Sequence, residues 1–352
     1  MEFVTDSVRQ STREFKRQRR LQQGIFFDKY KEIYGKNWKK TVRGMGVVKP
    51  TGIYYNRAAH QELLDQKEKI KKSNASERTK KDLLLDIDKQ ILRNELNLSQ
   101  NQMYYLYNQF KDPALRYANG VEGDPSKTLQ NTFDPRRGLK TMVLYVFDSN
   151  GNLVLDNDGR FKRVNKNVQN EAESVLKDIE DSLDDRVKEW ADWQVNIYYP
   201  SVYARYNDVY KKIYRISMPQ NQYYAGRLFR EAPENVKPIT VLPEEKGAAY
   251  NPIAPDSTKV RLGSNKAIHF IDGDNALYNY MKDMEYFAAY AETIRDIYKV
   301  FSDPSMKAAI KDLHGQPINQ YIEDAVYKIA NKGSSLGAKQ VQMINTFNTM
   351  FL

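Results

Sequence analysis

The sequence contains no cysteine, which excludes a disulfide scaffold, a thiol nucleophile and any thiolate-ligated zinc or iron–sulfur centre. Its three histidines, His60, His269 and His314, lie on separate segments without the spacing of metal ligands. No apolar run approaches the roughly 20 residues of a membrane-spanning helix, and the basic N-terminal stretch is without the apolar core of a secretory signal. A Walker phosphate loop, a dinucleotide fingerprint, the His-Glu-x-x-His helix and the kinase signatures are all missing. What is there is a 352-residue chain, 41% hydrophobic and 28% charged, a balance that suits a folded protein with a sizeable core. Its aromatic residues are skewed in kind, with 25 tyrosines against 14 phenylalanines and three tryptophans.

The formal net charge of +10 is unevenly placed. Residues 1–50 carry 13 lysines and arginines against five acids, residues 51–100 carry ten against eight, and the remaining residues balance. The densest piece is Arg13, Lys16, Arg17, Arg19 and Arg20, followed by Lys36, Lys39, Lys40 and Arg43 around Trp38. Two readings stay open for this basic arm. It is a solvated helix whose apolar side packs on the body, or it tracks a phosphate backbone while its interleaved aromatics (Phe15, Phe26, Phe27, Tyr30, Tyr34, Trp38) stack bases. On the second reading the arm, residues 1–53, is expected to be separable from the body.

Helical spacing organises most of the chain beyond the arm, so the expected class is mainly α: helical modules with one small β-meander. A helical hairpin spans Tyr54 to Leu98, broken at Ser73-Asn74-Ala75-Ser76, with Leu84, Ile87, Ile91 and Leu92 on its second apolar stripe. Ser99 caps a third helix. Asn-Gly and Asp-Gly turns between apolar runs predict a three-stranded meander over 141–164. Helix resumes from Val168, breaks at Pro200 and continues to Ile216, completing a domain over 54–216. Residues 217–273 hold six of the 13 prolines and form an extended strap. A C-terminal helical bundle covers 274–352, led by the stripe Leu277, Tyr280, Met281, Met284, Phe287, Ala291, Ile294 and Ile297. Its last helix, 338–352, ends in Met350-Phe351-Leu352 with its apolar side unpartnered. The chain is therefore expected to be a fragment of a much larger one, able to self-associate through 338–352.

Catalytic patterns are weak throughout. Gly333-Ser334-Ser335-Leu336-Gly337 matches a nucleophile elbow in letters only, since a helix precedes it and no histidine follows. The runs beginning at Asp148 and Asp156 have neither the sixth-position glycine nor the twelfth-position acid of a calcium loop and read as hairpin turns. Asp272-Gly273-Asp274 reads as a helix cap before it reads as a metal-binding carboxylate pair. The block Trp190 to Pro200, with Tyr203, Tyr206, Tyr210 and Tyr214 along one helical face, is a core facing a polar layer, or else a stacking platform or interface.

At these residues a resemblance enters. Trp190-Ala-Asp-Trp-Gln-Val-Asn-Ile-Tyr-Tyr-Pro-Ser-Val-Tyr203, Tyr206-Asn-Asp-Val-Tyr-Lys-Lys-Ile-Tyr-Arg215 and Asn221-Gln-Tyr-Tyr-Ala-Gly-Arg227 resemble stretches of the very large virion-associated polyvalent proteins of tailed bacteriophages. Tyr278–Phe301, with Ile310-Lys-Asp-Leu-His-Gly315 and Ile329-Ala-Asn-Lys-Gly333, is similar to a helical domain associated with such proteins. The resemblance covers roughly 95–350. It implies a non-catalytic module of an internal virion protein, held in the phage head or tail, delivered with the DNA into the bacterial cytoplasm, and partnered by other virion proteins or other parts of the same polypeptide. No cofactor or metal is expected. One alternative is a nucleic-acid-binding accessory segment of a phage polymerase or helicase; another is an enzyme using carboxylates such as Asp272, Asp274 or Glu285.

Overall fold

A long basic helix and a long apolar helix lie along each other and organise the rest. In a computed structural model, residues 2–116, 128–169, 171–220, 224–225, 266–317, 319–320 and 322 are described. The chain is mainly α. Helix α1 runs Glu2–Tyr34 and ends at Gly35, whose φ of 65° is a conformation glycine adopts without steric cost. A single 3-10 turn leads to α2, Trp38–Met45. Strand β1 (Lys49–Tyr54), α3 (Arg57–Lys72), α4 (Glu77–Asn94) and β2 (Glu95–Leu98) follow, with β1 and β2 paired antiparallel. Next come α5 (Gln100–Gln109), the short α6 (Pro113–Arg116) and α7 (Thr128–Thr132), β3 (Thr141–Tyr145) and β4 (Arg163–Asn167). Helices α8 (Ala172–Ser182), α9 (Asp185–Trp193), α10 (Tyr199–Tyr214), α11 (Gly273–Ser302) and α12 (Pro304–His314) follow.

Helices α1 and α11 are antiparallel. Thr12 Oγ1 lies 2.8 Å from the Tyr290 hydroxyl, Phe15 packs edge-on to Tyr286, and Phe26 packs edge-on to Tyr278, so positions rise along one helix as they fall along the other. Around this pair one core gathers Phe26, Tyr30, Leu106, Trp190, Tyr206, Leu277, Met284 and Ala291. The division expected at residues 53/54 and 273/274 therefore does not divide the core: residues 26–291 contribute to one cluster. The physical reason is the stripe on α11, which is too apolar to be left against a linker and takes α1, α5 and α10 as its covers. The strap's interior and the final helix, 226–265 and 338–352, lie outside the described residues. The strap's ends are tied in: the Met218 amide donates to Asn207 and the Ile268 amide to Thr132 Oγ1.

Three further differences from the sequence reading have physical causes. The β-element is not a three-strand ladder: β3 pairs directly with β4, and Leu153-Val154-Leu155 is joined only by the bridges Phe147–Leu153 and Leu155–Phe161. Three residues between two tight turns are too few to build a ladder of their own. The chain does not break at Pro200. A π-turn, Gln194–Tyr198, precedes it, and Pro200, the second residue of α10, is accommodated in a helix that continues through that turn, with the irregularity placed where proline cannot make the regular helix bond. The break falls instead at Leu183–Asp184, with Asp184 capping α9. Finally, α4 is rotated from its expected stripe. It buries Leu83, Ile87, Gln90 and Asn94 and leaves Leu92 62% exposed. Gln90 and Asn94 face inward because they hydrogen-bond backbone, Gln90 with both groups of Val143 and Asn94 with Asn56.

Candidate nucleic-acid interface

The periodicity of α1 separates most of its aromatics from its cations, Phe27 being the exposed exception. Val8, Ser11, Phe15, Gln22, Phe26, Tyr30 and Tyr34 recur three, four and seven residues apart and are buried. Arg13, Lys16, Arg17 and Arg20 fall on the opposite side and are exposed. Arg17 is engaged with Glu14, donating from Nε (3.0 Å) and Nη2 (2.9 Å). Those bonds, with one from Gln18, hold the Glu14 carboxyl below its ordinary range. Arg19 turns inward, its guanidinium 5.6 Å from the Phe15 ring centroid, and is only partly exposed.

Helix α2 is folded back on α1. Trp38 stacks on Tyr30 at 5.8 Å with the planes 6° apart and packs against Phe27 at 5.3 Å. Eight residues of continuous helix would separate positions 30 and 38 by about 12 Å along the axis, so the turn at Gly35 brings the two rings together. The fold-back leaves Lys36, Lys39, Lys40 and Arg43 exposed beside the C-terminal end of α1. Lys39 places its ammonium 5.6 Å over the Trp38 ring. Among the described residues, Arg13, Lys16, Arg20, Lys36, Lys39, Lys40 and Arg43 have no acidic partner within ion-pair distance.

The structure thus corrects part of the sequence reading. The cations face outward as a polyanion contact requires, except Arg19. Four of the six interleaved aromatics are in no position to stack bases: Phe15, Phe26, Tyr30 and Tyr34 are core residues, while Trp38 is half-buried against two of α1's rings and Phe27, beside it, is 39% exposed. What they provide is a rigid floor beneath the charges. The arm also shares the core of the body: Tyr30 packs at 4.1 Å against Trp190, which is fully buried.

The carboxylates considered for catalysis hold the fold together. Asp272 caps α11, accepting from the Asn275 amide at 2.9 Å, and also accepts from Asn101 at 2.8 Å. Asp274 is buried and accepts from the Tyr104 hydroxyl (2.5 Å), the Trp190 indole (3.1 Å) and Asn101 (3.3 Å). Desolvation dominates there and raises its carboxyl above the ordinary range, with the nearby Asp272 charge adding to it and the Tyr104 and Trp190 bonds opposing it. Burial and the adjoining Asp274 charge push the Tyr30 and Tyr104 phenols well above their usual range. Glu285, buried on α11, pairs with Arg205 and accepts from the Tyr206 hydroxyl at 2.8 Å. Of the tyrosine face on α10, Tyr206 and Tyr210 are buried, Tyr203 donates to the Met218 carbonyl at 2.6 Å, and Tyr214 packs on Phe287.

Asp148 Oδ1 accepts from the Asn150 and Asn152 amides, and Asp156 Oδ1 from those of Asp158 and Arg160, so both runs are side-chain-closed turns. Among the described residues, no three histidine, aspartate or glutamate side chains gather as a metal site, and no helix is long and apolar enough to cross a membrane. Residues 333–337 lie outside the described residues. Compared with known proteins, the chain matches no family model, no curated protein and no solved structure.

Proposed function

We propose that the chain is a non-catalytic module of a large bacteriophage internal virion protein, packaged in the particle and delivered with the genome, and that it touches DNA through the outward face of α1 and α2. One observation carries the DNA contact: among the described residues, seven exposed cations without ion-pair partners (Arg13, Lys16, Arg20, Lys36, Lys39, Lys40 and Arg43) stand on two helices and the turn between them, and the opposite sides of those helices are locked into the core. A face of that kind neutralises phosphates and leaves little for base stacking, because Phe15, Phe26, Tyr30 and Tyr34 are buried and Phe27, though 39% exposed, is packed against Trp38. The phage assignment rests on the resemblance of the Trp190–Tyr203, Tyr206–Arg215 and Tyr278–Phe301 stretches. The structural duties of Asp272, Asp274 and Glu285 favour it over an enzyme reading. The accessory-segment alternative would use the same face and differ only in the parent chain. Self-association through 338–352 stays with this proposal and is read by sedimentation velocity, which would show a concentration-dependent dimer.

The test is fluorescence anisotropy with two duplexes of unrelated sequence. The expected result is equal affinity for both, falling steeply between about 50 and 200 mM salt. No binding at about 50 mM salt, where phosphate contacts dominate, would sink the DNA contact.

A further inference from the structure

The solvent side of α4 has the form of a docking ridge. Its buried side is Leu83, Ile87, Gln90 and Asn94. Directly opposite, Leu85 and Leu92 stand one heptad apart, 54% and 62% exposed. Arg78, Lys81, Lys89 and Arg93 flank them, all exposed and without ion-pair partners among the described residues; of the acids on this side, Glu77 is paired with Lys80 and Asp88 with Lys67, which leaves Asp82 as the exposed acid without an ion-pair partner among the described residues. An isolated exposed leucine needs no explanation. Two at heptad spacing, ringed by four uncompensated cations on a helix whose rotation is fixed by buried hydrogen bonds, form a patterned surface.

We infer that this ridge binds an acidic amphipathic helix of a partner protein, with two apolar side chains seven residues apart packing on Leu85 and Leu92 and flanking carboxylates meeting Arg78, Lys81, Lys89 and Arg93. Charge complementarity selects this occupant. A second copy presenting the same ridge would set four cations against four, so isologous pairing is opposed. An anionic lipid surface would reward the cations, yet two leucines are a thin apolar face for insertion. Duplex DNA would satisfy the cations while leaving both leucines unburied. The inference is independent of the DNA contact on α1 and α2, which uses other residues.

The probe is a capped synthetic helix of about 20 residues, long enough to be partly helical alone, with leucines at two positions seven apart and glutamates flanking them. It is titrated against the full chain, the Leu85→Gln and Leu92→Gln variants, and Arg78→Gln with Lys89→Gln. All four side chains are exposed, and circular dichroism with thermal unfolding checks that each variant keeps the wild-type fold. Expected are saturable binding by the wild type, about a tenfold loss for each leucine removed, a salt-sensitive loss for the charge variants, and no loss for Arg13→Glu. Failure of the wild type to bind overturns the inference, as does equal binding by the leucine variants. It is also overturned if vesicles rich in anionic lipid bind the wild type and lose it in the leucine variants, if sedimentation shows a dimer that those variants abolish, or if duplex DNA displaces the peptide from the Arg13→Glu variant as readily as from wild type.

Discussion

Asp274 offers a sharp test of how the two long helices are joined. Its carboxyl reaches the first turn of α11 and receives the Tyr104 hydroxyl, the Trp190 indole and the Asn101 amide, tying α5 and α9 to α11. Asp274→Ala leaves the first two donors buried without an acceptor, at about 1–3 kcal/mol each, so a loss of roughly 2–6 kcal/mol is expected. Asp274→Asn keeps one carbonyl acceptor but sets an amide against the Asn101 amide, and about 1–3 kcal/mol is expected. The two variants also differ from wild type in pH dependence. Because burial raises the folded carboxyl above its unfolded value, the native state binds the proton more tightly than the unfolded state. The wild type then holds this contribution in full below the unfolded pKa of about 3.9 and loses it as pH rises through the folded value. Asparagine does not titrate, so the Asn deficit should shrink on going from about pH 4 to about pH 7. Urea unfolding of wild type and Asp274→Asn across that range measures it. A deficit that stays constant, or grows with pH, would refute the placement of a desolvated carboxyl at this junction.

Gly273→Ala should be among the most damaging small substitutions: a Cβ there would overlap the Tyr104 ring and lie 2.8 Å from its hydroxyl, and Tyr104 is held by Asp274. A loss of about 1–3 kcal/mol in the same unfolding assay is expected, against a gain of about 0.5–1 kcal/mol for Gly24→Ala, which lies inside α1 with nothing within 4 Å of the added carbon. Removing residues 1–43 should unfold the body rather than release a free arm, since Phe26 and Tyr30 are buried against Trp190. Proteolysis and near-ultraviolet circular dichroism of the truncated chain would show this, and a cooperative, native-like remainder would count against a shared core.

The elements that sequence reveals best are those whose apolar spacing is long and uninterrupted. The α11 stripe, the Ser99 cap with its reciprocal Gln102 bond, and the hairpin break at Ser73–Ser76 all follow from local pattern. Strand β1 does not, because Lys-Pro-Thr-Gly-Ile-Tyr has no alternation and its pairing with β2 is set by a partner more than 40 residues away. The rotation of α4 is hidden for a related reason. Gln90 and Asn94 read as surface residues until Val143 and Asn56 supply backbone partners. The basic face is visible in the sequence as charge, but its sidedness is not. Aromatic residues between cations suit a stacking surface and a buried helix side equally well, and only the position of Trp190 and α11 decides for Phe26, Tyr30 and Tyr34.

The most direct measurement of the central claim is the salt dependence of duplex DNA binding by wild type and by the triple variant Arg13→Glu, Lys16→Glu, Arg20→Glu. All three side chains are exposed and, among the described residues, without an ion-pair partner, so the variant should unfold as the wild type does. If these cations meet phosphates, the slope of log affinity against log salt should flatten by about 0.9 for each phosphate left unneutralised, approaching about 2.7 for three. A slope unchanged in a folded variant would contradict the assignment of this face to DNA.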